Sequence, residues 1–350
     1  MSLLRRLSAG VAPALVVLAA IAVVALVMMV TGFDPVAAAR AAVRGAVGSE
    51  FALFSATLKR TTPLLMLGLA VAVAFRAGVL NIGADGQFLA GAAAACAFGL
   101  AVGDAVGRSV LLGALAVGIL AGALWAGVAA WLKRRFNVME VVSTLLLNFV
   151  ALNLVGFLVR GPLQEPTGAY PASATLLSAA RLPLLLDGQR LHVGFVFSVG
   201  LAIAAWWFFR STAAGFQIRV TGASRTVAAS AGRLDVDGVQ MWSLVASGAI
   251  AGLAGACEVT GVTYALYEGL SPGYGYTAIA TALLGGLNPL GIIMSAALFG
   301  ALGAGADAMQ RDAGVPAEFA TVVTALVVLG VLAVPGVMKN WARITGRGEQ

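Results

Sequence analysis

Stretches of about twenty apolar residues recur from one end of this chain to the other, each long enough for a helix to cross the roughly 30 Å hydrocarbon core of a bilayer. Ten candidate spans follow: 11–31, 61–75, 87–103, 109–132, 140–159, 192–209, 241–263, 277–287, 289–306 and 317–337. Lipid offers the backbone no hydrogen bonds, so a spanning chain must be helical or a closed barrel. The run from Val11 to Thr31 lacks the alternation of a barrel strand, which leaves helices. Of the 350 residues only 11% are charged, against about 25% in a soluble domain, and the mean hydropathy is +0.96. The expectation is an all-α polytopic bundle of about ten spans with two internally related halves and broken helices, forming one transmembrane domain over residues 1–350.

The net charge of +7 does not form one basic face, which argues against a nucleic-acid partner. Its cations lie in short loops between spans and read as topology signals. With an inside N-terminus, thirteen of the 22 basic residues fall inside, including the clusters Lys133–Arg135 and Arg210–Arg233. Both termini are then cytoplasmic, and two long segments, 32–60 and 160–191, lie outside. The first has helical character; the second holds Pro162, Pro166, Pro171 and Pro183 and cannot be one helix. The apolar run after Arg5 and Arg6 is too long for a signal-peptide core and reads as the first span. Cys96 and Cys257 have no metal-ligand spacing and read as small buried residues. Gly99 and Gly103, Gly118 and Gly122, and Gly248 and Gly252 are spaced by four, a device for close helix packing.

Two segments interrupt the apolar pattern. In Phe75–Gln87, FRAGVLNIGADGQ, glycines loosen the backbone, and Asn81 and Asp85 are good N-caps for the helix resuming toward Gln87. In Gly285–Gly291, GGLNPLG, Asn288 and Pro289 read as an N-cap and first helical residue. Both are either broken helices at a translocation site or tight cytoplasmic turns. Asn148, with Ser143 and Thr144, is either a pathway group or interhelical glue. Glu258 is the one carboxylate well inside a span, a functional candidate or an interfacial paired group near the outer end. His192 reads as interfacial. The chain has no G-x-x-x-x-G-K-[ST] motif, so ATP, if it drives the protein, is bound elsewhere. It also lacks a hydrolytic triad or H-E-x-x-H.

The loop 210–240 is the longest inside segment. Its stretch Gly222–Arg233, GASRTVAASAGR, flanked by Arg219 and Arg233, is either a surface helix that docks in a partner's cleft or a solvated linker. The segments FRAGVLNIGADGQFLAGA, MEVVSTLLLNFVA, GYGYTAIATALLGGLNPLGII and GFQIRVTGASRTVAASAG resemble the permeases of the branched-chain amino acid and ribose ABC-importer superfamily, above all the nucleoside or simple-sugar subgroup. That resemblance implies a bacterial inner-membrane subunit that transports nucleosides or related small polar solutes without an ATPase site of its own. It also implies a second permease subunit, ABC ATPase subunits that bind ATP and Mg, and an extracytoplasmic solute-binding lipoprotein. Asn81, Asp85 and Gln87 would sit near the pathway. Residues Arg219, Gly222, Ala228, Ala229, Gly232 and Arg233 would form the coupling loop. Asp85 stands where the subgroup more often has Glu, and Gly286 where a larger residue is common. From another class, an ion-gradient-driven secondary transporter would need ionisable residues in several spans, and only Glu258 qualifies.

Overall fold

The computed structural model describes residues 22–105, 107–230, 234–316, 319, 321, 322, 325 and 326. Most of the expected spans 11–31 and 317–337, and the candidate residues Gly232 and Arg233, lie outside the described residues. The helices are α1 (residues 22–30), α2 (Pro35–Val47), α3 (Phe51–Arg76, opening with a π-helical stretch Phe51–Leu58), α4 (Ala84–Val102), α5 (Ser109–Phe136) and α6 (Glu140–Arg160). They continue with α7 (Gly194–Ser211), α8 (Ala213–Ala223), α9 (Arg225–Ser230), α10 (Val236–Thr263, closing with a π-helical stretch from Val259), α11 (Tyr274–Leu284) and α12 (Pro289–Ala313). Among the described residues β pairing is confined to isolated bridges. Among the described residues seven helices, α3 to α7, α10 and α12, are long and apolar enough to span a membrane. The segment expected at 277–287 is the eleven-residue α11, about 16 Å long at 1.5 Å per residue and too short to cross.

The chain divides into two compact units, residues 1–57 with 299–350, and residues 58–298. In the first, Asp34 caps α2 by accepting the Val36 amide at 2.8 Å, with Pro35 at the first helical position, where its missing N–H costs nothing. This confirms helix within the segment 32–60. Gly45 of α2 meets Ala308 of α12, and Met28, Ala38, Ala41, Met309 and Val315 form the core.

In the second unit α10 is the central post, packed on α5, α4 and α3. Gly118 and Gly122 of α5 face Gly248 and Gly252 of α10, and Gly91 of α4 also meets Gly252. A Cβ at Gly122 or Gly252 would fall on the facing helix's backbone carbonyl, so only glycine lets these axes approach so closely. The third expected pair differs: Gly99 packs under Leu176, whereas Gly103 ends α4 with φ 59° and a Cβ there would meet nothing. Residues 161–193 fold back over the far end of α10 as an irregular cover, helical only in a single turn at Ser178–Ala180. Backbone bonds tie it down: Ser173 N to Leu266 O at 2.7 Å, Leu176 N to Tyr264 O at 2.7 Å and Leu182 N to Thr260 O at 2.9 Å.

Candidate functional site

Two non-helical stretches enter the second unit from opposite ends. After α3 the chain turns at Ala77–Gly78 and runs without helical structure through residues 79–83 before α4 begins. Asn81 in this stretch is fully buried and donates to Ser247 Oγ at 2.8 Å, and Ser247 in turn donates to Ala70 O at 2.6 Å. Ser247 lies about 16 Å along α10 from Val236, and Ala70 about 9 Å before the end of α3, so α4 starts well inside the bundle. The second stretch, residues 264–273, returns from the other end and delivers the N-terminus of the short α11 to the first turn of α4. Gly275 packs against the Asp85 backbone, where any side chain would collide.

The second break therefore lies at 264–273 and not at Gly285–Gly291, which forms a tight turn with Gly286 at φ 62° and Leu287 at φ 56°. Arg76 Nε donates to Leu287 O at 2.8 Å, which puts this turn beside the end of α3. Within it Asn288 and Pro289 play the expected parts: Asn288 Oδ1 accepts from Leu290 N at 3.2 Å, and Pro289 opens α12.

Where α4 and α11 meet, both helices present N-terminal amides and the positive ends of their dipoles. The expected capping of α4 by Asp85 is replaced by a link between helices. Asp85 Oδ1 accepts from Gly275 N at 2.9 Å and Ser271 Oγ at 2.6 Å, so this first-turn residue of α4 caps α11. Asn148 of α6 accepts from Gly86 N at 2.8 Å and donates to Ile82 O at 2.9 Å and Tyr276 OH at 3.3 Å. Asn81 Oδ1 accepts from Gly83 N at 2.9 Å, and its amide exchanges two bonds with Gln87, at 2.9 and 3.0 Å. Asn81 and Gln87 face α10 inside the protein, while Asp85 and Asn148 lie at the α4–α11–α6 junction. Asn148 is thus glue of a specific kind, holding a broken segment to an intact helix.

Residues Asn148, Leu152, Gly156 and Arg160 are spaced by four and share one face of α6. The last three line a cleft of about 570 Å³ against the 264–273 stretch. Its mouth is bridged by Arg160 and Glu268 at 2.8 Å. The face ends at Asn148, so the cleft and the helix break share one wall.

The other candidates lie elsewhere. Glu258 is buried near the far end of α10, within electrostatic reach of Lys59 and Arg60. His192 is fully buried, not interfacial, because the 161–193 cover closes over it; Gly261 packs on its ring and Gly194 N donates to its Nδ1 at 3.1 Å. Burial, reinforced by the Lys59 charge, lowers its pKa to about 4, which keeps the ring neutral near pH 7. Asn288 is exposed at the opposite end of the bundle.

At that end the loop 210–240 contains two helices, α8 and α9. Thr212 caps α8 by accepting from Gly215 N at 3.0 Å. Gly222 then abuts the Arg76 carbonyl so closely that no Cβ fits. Gln240 of α10 braces the same turn, donating to Ala77 O at 3.2 Å while accepting from Lys133 at 3.3 Å and Arg225 at 3.5 Å. Arg225 also pairs with Asp237 at 2.6 Å. Ala228 is fully buried, so of the two alanines only Ala229 is exposed to a partner. Arg219 is exposed. Gln240, Ser247, Ser271 and Tyr276 were not singled out from the sequence. Ser271 alone had a local signal, the turn-forming Ser-Pro-Gly run.

Among the described residues seven helices are long and apolar enough to span a membrane, and two non-helical breaks bring the N-termini of α4 and α11 together inside the bundle, a pattern that in transporters points to the solute site. Residues 53–332 match the family described as the permease component of branched-chain amino acid transport systems, and the chain belongs to that family. It is 36% identical over 333 residues to the guanosine ABC transporter permease protein NupP of Bacillus subtilis strain 168, covering 94% of each chain. It is 35% identical over 334 residues to the glucose ABC transporter permease protein TsgB13 of Haloferax volcanii, covering 91% of this chain and 85% of the relative. With the nucleoside ABC transporter permease protein NupB of Lactococcus lactis subsp. cremoris it shares 29% identity over 316 residues, covering 87% and 85%. No solved structure matches this chain.

Proposed function

We propose that this chain is the permease subunit of an ATP-driven importer of the bacterial inner membrane, with both termini cytoplasmic, and that it carries nucleosides or related small polar solutes. The observation that carries this reading is the backbone contact of Gly222 with Arg76. It joins a loop suited to receive force to the turn that leads into the helix break. The chain has no phosphate-cradling motif, so ATP and Mg are bound by ABC ATPase subunits that push on α8 and α9 at the exposed Ala229. A second permease subunit completes the pathway along the exposed face of α6, and a solute-binding lipoprotein delivers cargo to the opposite mouth. At the α4–α11 junction the hydroxyls of a passing solute replace Ser271 on Asp85 and Tyr276 on Asn148. This exchange of like bonds gives passage without a deep trap.

The test is to purify the chain from its native membrane and reconstitute it with and without the ATPase that accompanies it. Uptake of labelled nucleoside is expected only when that ATPase hydrolyses ATP. Uptake by this chain alone in proteoliposomes would overturn the proposal.

A further inference from the structure

A crevice of about 160 Å³ opens between the ends of α3, α7, α8 and α12, and three arginines from three of these helices line it: Arg76, Arg210 and Arg219. Two other cations at this end of the bundle have carboxylate partners: Lys133 pairs with Glu140 at 3.1 Å and Arg225 with Asp237 at 2.6 Å. None of the three crevice arginines has a carboxylate within 4.0 Å among the described residues, and no carboxylate lines the space. Two of the guanidinium groups are oriented by aromatic rings, Arg76 at 4.5 Å over Phe209 and Arg210 at 5.5 Å over Trp206. Asn288 adds a side-chain amide whose oxygen is already occupied by Leu290 N, which leaves its NH2 as a donor. Three like charges held around one small volume repel one another, and an oxyanion in the middle removes that cost while taking several charge-assisted bonds.

We infer that this crevice binds the headgroup phosphate of an anionic phospholipid. The volume admits a phosphate and a few waters but not a protein helix. It also lies at the end of the least buried of the candidate spans, α7, where only 22% of the apolar stretch is covered. Val196, Phe197, Ile203 and Trp207 leave the flank of that helix exposed, so acyl chains have an apolar surface to lie on directly beside the cationic pocket. Basic pockets at the ends of transmembrane helices take lipid headgroups in this way.

The full chain is placed in nanodiscs of equal dioleoylphosphatidylglycerol and dioleoylphosphatidylcholine, and the lipids retained on release are counted by native mass spectrometry. Phosphatidylglycerol is expected to be enriched, and an R210Q/R219Q variant, altered only at exposed side chains, to lose the enrichment by about fivefold per arginine. An R134Q/R135Q variant, which removes the same charge elsewhere on the chain, is expected to keep it. Unchanged enrichment in R210Q/R219Q, equal loss in R134Q/R135Q, or displacement of the lipid by excess inorganic phosphate would overturn the assignment, the last by making the ligand a free anion. Loss of ATPase capture by R210Q/R219Q with lipid enrichment intact would likewise overturn it and assign the arginines to a protein partner.

Discussion

Replacing Asn81 with leucine, close in volume but without hydrogen-bonding groups, tests whether the α3–α4 break is held by mutual satisfaction or by a simple count of bonds. Asn81 takes part in four hydrogen bonds: one from Gly83 N, two with Gln87 and one to Ser247. If each were worth the about 0.6 kcal/mol typical of bonds between membrane helices, their loss would cost about 2.4 kcal/mol. The substitution also strands Gly83 N and both ends of the Gln87 amide in a dry interior. Each stranded group costs about 1–3 kcal/mol, so the expected loss is at least about 3 kcal/mol. Gln87→Leu strands only one N–H of the Asn81 amide, because Asn81 keeps Gly83 N and Ser247, and it should cost about 1–2 kcal/mol. The two views part at the double variant. Removing Gln87 from the Asn81→Leu protein takes away two of the three stranded groups, so stability should rise by at least about 2 kcal/mol; bond counting predicts no change. Reversible unfolding in mixed micelles, titrated with a denaturing detergent, measures all three variants. A double variant no more stable than Asn81→Leu refutes the reasoning.

Further outcomes follow from other contacts. Gly222→Val places a side chain on the Arg76 carbonyl, an overpacking of about 1–3 kcal/mol that should lift α8 off the turn. Solute uptake by the reconstituted transporter should then fall while its ATPase activity persists, and Ala223→Val at the exposed neighbour should leave both intact. Gly252→Val should lower the unfolding midpoint far more than Gly127→Val, because the first side chain meets α5 backbone and the second meets nothing within 4 Å. For His192 the folded pKa lies below the unfolded value of about 6.5, so the unfolded chain binds more protons between pH 4 and 6.5. Stability should therefore climb through that window, by up to about 3 kcal/mol, and level off above it. His192→Gln should flatten the climb, as unfolding midpoints at pH 4.5 and pH 7 would show.

Seven of the ten expected spans were legible because burial in lipid writes itself as unbroken apolar length, and the Gly118, Gly122, Gly248 and Gly252 contacts because small residues at spacing four declare a packing face. Asn288 and Pro289 were equally plain, since capping acts within one turn. The junction was not. Asp85 caps a helix whose partner atoms lie 186 and 190 residues away, and no local spacing reports such a pairing. The Gly-Gly-Leu-Asn-Pro run drew attention from the true second break, because a tight turn and a re-entrant stretch share the same loose residue types. His192 looked interfacial because it precedes a span, and only the fold of 161–193 over it removes it from water.

At the junction of α4 and α11 the Gly83, Gly86 and Gly275 amides are answered by Asn81, Asn148 and Asp85. Each of these acceptors comes from a different segment than a simple cap would use, or bonds a second segment as well, so the two helix starts are tied to each other and to α6. A displacement of α11 is therefore felt at the first turn of α4 and at α6 together, and the three move as one piece.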